Sequence, residues 1–513
     1  MRPGEASGLQ TAGRERELVA GAILAALMAL ALALRFWRLG EWTLEGDEIY
    51  TFRDSLRPLI GNPRPLLFLL NYYVVRPLTP LDEFGLRLLP ALSGALTVPA
   101  LYFIGRRLVG ARAALFGALL VALNPMHVYQ SQYARYWSLV ILLSAIYPYA
   151  LYLGVRERSG RWLALGLVTG VLAVLAHPIS VLLIGGLGLL VVLHLRRDVI
   201  TQLWSQRAVR WIAILIVILA VIAALRSIDM LQSWISAHDL KTRVPDHLRD
   251  APREAGLRQL AILGNYTDGL TLPVTLSAVV GIFLLWRRDR PLALLLVCLF
   301  IVPVATILLL SFRTPVSVTY LLPTAPAIFI GAGVFLDRLA AVDLGLRPRW
   351  LLPATITALI VSPGLPSLFS QYRDGRRYDF RRAAGWLEPR LADGDVVFSA
   401  QSRVLTHYLQ GKEVQPLAPD TAAIAQAARA VDPGRALWIV TPAPSHTFRS
   451  SLQRGGLIGW LYGNCQLRNS FGVGRMDFRQ QYLHIYRCPP TEPAPAGAAD
   501  KAGSSPFRAR TSR

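Results

Sequence analysis

The sequence predicts an α-helical polytopic membrane protein: about eleven transmembrane helices with juxtamembrane helices, then a small C-terminal extracytoplasmic α/β domain. Three observations predict it. The chain has 513 residues, 53% of them hydrophobic, too long and too apolar for one soluble domain. Apolar runs of membrane-spanning length recur along it. Charged residues are only 17% and gather between those runs. The formal charge of +22 comes almost entirely from arginine. In a soluble chain such a balance points to nucleic acid, but here much of it lies in short loops, where positive charge sets topology and meets anionic lipid. Membrane lipids are therefore expected as partners and nucleic acid is not.

Residues 1–17 are polar and are expected to form a disordered cytoplasmic tail. The run 18–34 is the first span. A signal peptide is the competing reading, but no small-residue cleavage site precedes Arg35-Phe36-Trp37. A long loop, 35–85, follows. After Asp47, apolar residues Ile49, Phe52, Leu56 and Leu59-Ile60 recur at helical spacing around Arg53, Asp54 and Arg57, which predicts an amphipathic helix lying in the interface. Pro63 and Pro65 break it, and the apolar stretch 66–75 is too short for a span.

Further spans are expected at 86–104, 113–123, 138–155, 162–176, 179–193, 211–225, 272–286, 292–310, 320–336 and 351–368. With the N-terminus cytoplasmic, the inner loops collect Arg106, Arg107, Arg112, Arg156, Arg158, Arg161, Arg196, Arg197, Arg287, Arg288 and Arg290, while the short outer loops hold only Arg135 and Arg313. That bias orients the chain. It places loops 35–85 and 226–271, and everything after Leu368, outside the cytoplasm of a bacterial plasma (inner) membrane. The transmembrane domain is then 18–368 and the extracytoplasmic domain 369–490.

In that domain a helix is expected over 380–391 and another over 422–431, with strands at 395–400, 436–441 and 482–486. Strand–helix alternation predicts the α/β class. The Pro- and Ala-rich run 491–513 is a disordered tail by composition. Cys298 lies inside an apolar run, whereas Cys465 and Cys488 fall in the outer domain, where a disulfide and two separate thiols both suit the spacing.

Three outer segments carry chemistry. The first is Asp47-Glu48, about a dozen residues beyond the first span. Gly46-Asp47 before an amphipathic run also makes a good N-cap, and Glu48 suits the first turn of a helix. The second is Asn124–Trp137, NPMHVYQSQYARYW, which packs His127, Gln130, Gln132, Tyr133, Arg135 and Tyr136 into one short outer loop. An aromatic belt explains Tyr129, Tyr136 and Trp137 but leaves Arg135, whose fork of donors suits a phosphate. The third comprises His177-Pro178 between two apolar runs, and Ser311-Phe312-Arg313 before Tyr320. No HExxH, CxxC or clustered histidine pattern marks a structural metal. A hydrated divalent cation held by Asp47 or Glu48 is the one metal reading left open.

These residues carry a family resemblance. A first span, then RFWRLGEWTLEGDE, then FGLRLLPALSGALTVPALYFIGRRLVGARAALFGALLVALNPMHVYQSQYARYWSL, resembles the polytopic glycosyltransferases of family 39 in the C superfamily. These include protein O-mannosyltransferases and a bacterial aminoarabinose transferase acting on lipid A. The likeness is clearest over about residues 20–200. It implies a polyprenyl-phosphate-linked sugar donor, an extracytoplasmic acceptor (lipid, glycan or protein) and inverting transfer. The family's acidic pair maps onto Asp47 and Glu48, and its arginine-tyrosine stretch onto Arg135 and Tyr136. Many members carry Arg-Tyr at the start of a late span, where this chain has Thr319-Tyr320; Arg313 is the candidate replacement. Expected donor-phosphate or substrate ligands are thus Arg135, Tyr136, Tyr133, Gln132, His177, Arg313 and Tyr320. A carboxylate such as Asp47 would accept the acceptor's hydroxyl proton. The alternative is a lipid-linked sugar flippase without bond chemistry, which calls for intramembrane charge or helix breaks; the spans hold prolines such as Pro99 and Pro303 but almost no charge.

Overall fold

In a computed structural model the chain is described over residues 3–58, 61–194, 254–312, 316–342, 350–375, 377–417, 435–442, 456–474 and 480–488, with a few isolated positions between. Two compact units emerge, Met1–Trp42 with Tyr50–Tyr372, and Thr43–Ile49 with Arg373–Arg513.

The first unit is helical. Its α1 runs Pro3–Phe36, so the polar segment expected to be disordered instead lengthens the first helix. Proline at the first helical position has its φ preset, and the Glu, Leu, Gln and Arg that follow favour helix. Of the expected amphipathic helix the structure forms α2, Gly46–Asp54, which ends before Leu56; Leu59-Ile60 lie outside the described residues. Beyond it, α3 (Pro65–Leu70) continues directly into a π-turn, Asn71–Val75. The Asn71 amide reaches back to the Ser55 hydroxyl at 3.0 Å, which ties this segment to the end of α2.

Next come α4 (Glu83–Leu108), α5 (Ala111–Leu123), α6 (Pro125–Ser131), α7 (Trp137–Ser144), α8 (Tyr147–Arg156), α9 (Gly160–Ala176) and α10 (Val181–His194). Among the described residues, six helices are long and apolar enough to cross a membrane, or eight if each sharply bent pair is one span. One bent pair is α5 with α6, at 61°; the other is Ala261–Leu270 with Leu272–Trp286, at 91°. The count of eleven is not reached. Two of the expected spans, 162–176 and 179–193, are shorter apolar helices, and 211–225 lies outside the described residues.

Small residues let these helices approach backbone to backbone, as membrane helices without a hydrophobic drive between them require. A Cβ on Gly281 would meet the Gly331 carbonyl oxygen at 1.8 Å, and one on Gly333 would meet that of Ala113 at 2.3 Å.

The second unit is built on a sheet of order β2-β1-β3-β5-β4. Its strands are β1 (Val396–Ser399), β2 (Val414–Pro416), β3 (Leu437–Pro442), β4 (Gln466–Gly474) and β5 (Gln480–Cys488). β1 pairs in parallel with β2 and β3, and β5 antiparallel with β3 and β4. Alternation sorts the side chains to two faces. Val397, Val440, Leu483 and Ile485 pack with helix Phe380–Leu387, while Phe398, Ile439 and Tyr486 pack with Leu461. The helix expected over 380–391 ends at Leu387; most of the one expected over 422–431, and the tail 491–513, fall outside the described residues.

Cys465 and Cys488 are joined by a disulfide that closes a 23-residue separation. A loop of that length contributes about 3 kcal/mol by chain entropy. Reduction, or the double variant Cys465→Ala/Cys488→Ala, is therefore expected to destabilise this unit by roughly 2–4 kcal/mol. Thermal unfolding followed by limited proteolysis, with and without reductant, checks it; an unchanged midpoint contradicts it.

Candidate functional site

The loop that carries Arg135 and Tyr136 is held by buried polar side chains. Asn124 caps α6 by accepting from the His127 N–H at 2.9 Å, and Pro125 opens the helix. Arg35, fully buried at the end of α1, donates to the carbonyls of Ala31, Val121 and Ala122 at 3.1–3.3 Å and to His127 Nδ1 at 2.8 Å. Gln132 donates its amide to the carbonyls of Leu34, Arg35 and Trp37 at 3.1–3.3 Å, groups that a helix C-terminus leaves open. Its carbonyl oxygen accepts from Gln371 at 2.8 Å. Arg87 donates to the carbonyls of Leu39 and Trp42 at 3.1 and 2.7 Å, fixing the turn that leaves α1. Gln132 is thus engaged in closing α1, and Tyr133 stacks on Tyr129 with centroids 5.6 Å apart.

Past Gln132 a short turn delivers Arg135 and Tyr136 to the start of α7. Tyr136 is buried, and its hydroxyl accepts from both Arg135 Nη2 (3.2 Å) and Arg64 Nη1. The two guanidinium carbons lie 4.8 and 5.3 Å from the centre of its ring. Arg135 Nη1 also reaches Thr51 Oγ1 at 3.4 Å, on α2.

His177 packs against the Tyr136 ring, with centroids 4.8 Å apart; Trp137 is 4.9 Å and Tyr320 is 5.8 Å from the same imidazole. His177 occupies the extended break between α9 and the 3-10 turn Pro178–Ser180, and its Nδ1 caps that turn by accepting from the Ile179 N–H at 3.1 Å. Burial lowers the imidazole pKa well below its ordinary value, and the Arg64 and Arg135 charges lower it further. His177 is neutral at physiological pH.

The structure therefore brings Arg135, Tyr136, His177 and Tyr320 together and adds Arg64, Trp137 and Thr51. Arg313 lies outside the described residues. Arg64 was the residue that charge counting missed, because only short loops were counted and it sits in the long one, in Asn-Pro-Arg-Pro.

The acidic pair is divided. Helix α2 starts at Gly46, so Glu45 stands at the N-cap and Asp47 one position inside, not at the cap. Glu48, at the third helical position, accepts from the Glu45 N–H at 2.9 Å, the return half of a capping box. The same oxygen accepts from Arg377 at 2.8 Å, with both side chains essentially inaccessible. Asp47 is exposed. Glu48 Oε2 is thus shared between a guanidinium and a backbone N–H. No group of three or more metal-ligating side chains occurs among the described residues.

Removing one partner of a buried ion pair strands the other charge at a cost of about 3–5 kcal/mol, whereas replacing both by apolar groups is often near neutral. Arg377→Met is expected to destabilise the second unit by that amount, and Glu48→Leu/Arg377→Met to recover most of it. Chemical denaturation of wild type, Glu48→Leu, Arg377→Met and the double variant measures the cycle; additive losses contradict it.

Residues 61–240 match the model of the dolichyl-phosphate-mannose-protein mannosyltransferase family. The match contains Arg64, Arg135, Tyr136 and His177 and begins after Asp47-Glu48. No curated protein sequence matches the chain. Among solved structures, ArnT from Cupriavidus metallidurans in the apo state aligns at 16% identity and TM-score 0.49, over 92% of this chain and 98% of its own. The archaeal oligosaccharyltransferase AglB from Archaeoglobus fulgidus, in complex with an inhibitory peptide and a dolichol-phosphate, aligns at 12% identity and TM-score 0.55, over 91% of this chain and 74% of its own. At such identity the AglB likeness shows a shared fold. The resemblance read from the sequence therefore holds: this is an integral membrane protein with an AglB-like fold, carrying over residues 61–240 the sequence pattern of the dolichyl-phosphate-mannose-protein mannosyltransferases.

Proposed function

We propose that the protein is an inverting glycosyltransferase that moves a sugar from a polyprenyl-phosphate donor to a lipid, glycan or protein acceptor, on the extracytoplasmic face of a bacterial plasma membrane. The observation that carries the reading is the convergence of Arg64 and Arg135 on the Tyr136 hydroxyl. A phosphodiester donor has one negative charge, and the lipid phosphate that leaves has up to two. Two guanidiniums in a partly dehydrated setting favour the state in which that charge has grown.

The acceptor oxygen attacks the anomeric carbon, the bond from that carbon to the phosphate oxygen breaks, and the lipid phosphate departs with the electron pair. Asp47 takes the acceptor's proton. One displacement on one face inverts the anomeric centre, unlike the double displacement by paired carboxylates in retaining glycosidases. Glu48, through Arg377 and the Glu45 N–H, holds the first turn of α2 and so positions Asp47. The Cys465–Cys488 disulfide supports the outer placement of the second unit, since disulfides persist in oxidising compartments.

Asp47→Asn is expected to reduce turnover about 10²- to 10⁴-fold while binding of a polyprenyl phosphate stays within about threefold. A transfer assay with lipid-linked sugars, paired with a binding measurement, checks this. Turnover within a few-fold of wild type removes Asp47 from the chemistry.

A further inference from the structure

Nδ1 of His177 is already committed. It accepts the Ile179 N–H at 3.1 Å and closes the turn that starts α10. A proton on Nδ1 would set two donors face to face and break that cap. The neutral ring must then carry its proton on Nε2, where it can only donate. The ring cannot rotate to exchange these roles cheaply, because Tyr136, Trp137 and Tyr320 pack against it at 4.8–5.8 Å. Among the described residues, the charges that shift it work in one direction, since Arg64 and Arg135 both oppose an imidazolium; the adjoining Tyr136 and Tyr320 are phenols.

We propose that His177 is an anion-binding residue of fixed tautomer, whose neutral Nε2–H gives the lipid phosphate a third donor beside Arg64 and Arg135. This rests on the phosphate reading above and extends it. His177 neither gives nor takes a proton in the reaction. It adds direction, where the two guanidiniums add charge. A neutral donor also lets the released phosphate leave more easily than a third cation would.

Isosteres separate the two nitrogens. Gln places its amide NH2 where the imidazole carries Nε2–H and lacks the cap acceptor; Asn retains an oxygen near the Nδ1 position and has no donor at Nε2. The full chain in lipid nanodiscs is titrated with undecaprenyl phosphate, as wild type, His177→Gln, His177→Asn and Arg135→Gln. His177→Gln is expected to bind within about threefold of wild type, and His177→Asn at least about tenfold more weakly, the loss typical of one hydrogen bond to a charged group. The ratio of wild-type to His177→Gln affinity stays flat between about pH 6 and 8, because the phosphate's own titration divides out.

Equal binding by His177→Asn and wild type overturns the proposal. So does His177→Gln binding as weakly as His177→Asn, or a ratio that rises tenfold as pH falls toward 6. Arg135→Gln tells the two readings apart: a loss of about tenfold or more keeps the phosphate site whatever His177 does, and no loss removes the phosphate reading together with this one. A ¹⁵N-histidine spectrum of the ligand-free protein, assigned by the signal missing in His177→Gln, reads the tautomer without any folding ambiguity. A protonated Nε2 with a bare Nδ1 supports the proposal, and any other state overturns it.

Discussion

Two guanidinium groups share one buried phenol oxygen, and the rest of the first unit is arranged so that they can. Arg64 comes from the turn before α3 and Arg135 from the turn before α7. The Tyr136 hydroxyl orients both groups, and two guanidiniums so oriented suit the recognition of a phosphate proposed above. Burial lowers the pKa of His177 beside the pair, and the two charges lower it further.

Holding that point requires a rigid loop in a setting where every polar group must be satisfied internally. Arg35 knots the end of α1 to the α5–α6 break, Gln132 closes the last carbonyls of α1, and Arg87 pins the turn that follows. These side chains share the chemistry of ligands and are spent on the frame. In the second unit Glu48 does likewise, giving up its charge to Arg377. The neighbouring exposed Asp47 keeps the geometry of a first helical turn and the access of a surface residue.

Much of this was legible. The apolar runs gave away the helical class because membrane burial needs length and hydropathy alone, both local properties. Arg135 stood out because the arginine bias of the other short loops leaves its own loop with no topological use for arginine. Strands β1, β3 and β5 showed as short runs rich in apolar, β-branched and aromatic residues, whereas β4, with Gln466, Arg468, Asn469, Ser470 and two glycines, has an edge strand's polar composition and no pattern to find. Gln132 looked like a ligand because its partners, the carbonyls of α1, lie almost a hundred residues earlier. Glu48 looked like half of a catalytic pair; its spacing from Glu45 was a readable cap, but Arg377, 329 residues away, was not. Arg64 was hidden by a counting rule that is sound only for short loops.

The central claim is that Arg64 and Arg135 leave or share the Tyr136 hydroxyl to take a lipid phosphate. The direct measurement is a cryo-electron microscopy structure of the full chain with undecaprenyl phosphate. The account predicts phosphate density within hydrogen-bond reach of both guanidiniums. Phosphate bound elsewhere, with both arginines still resting on Tyr136, would contradict it.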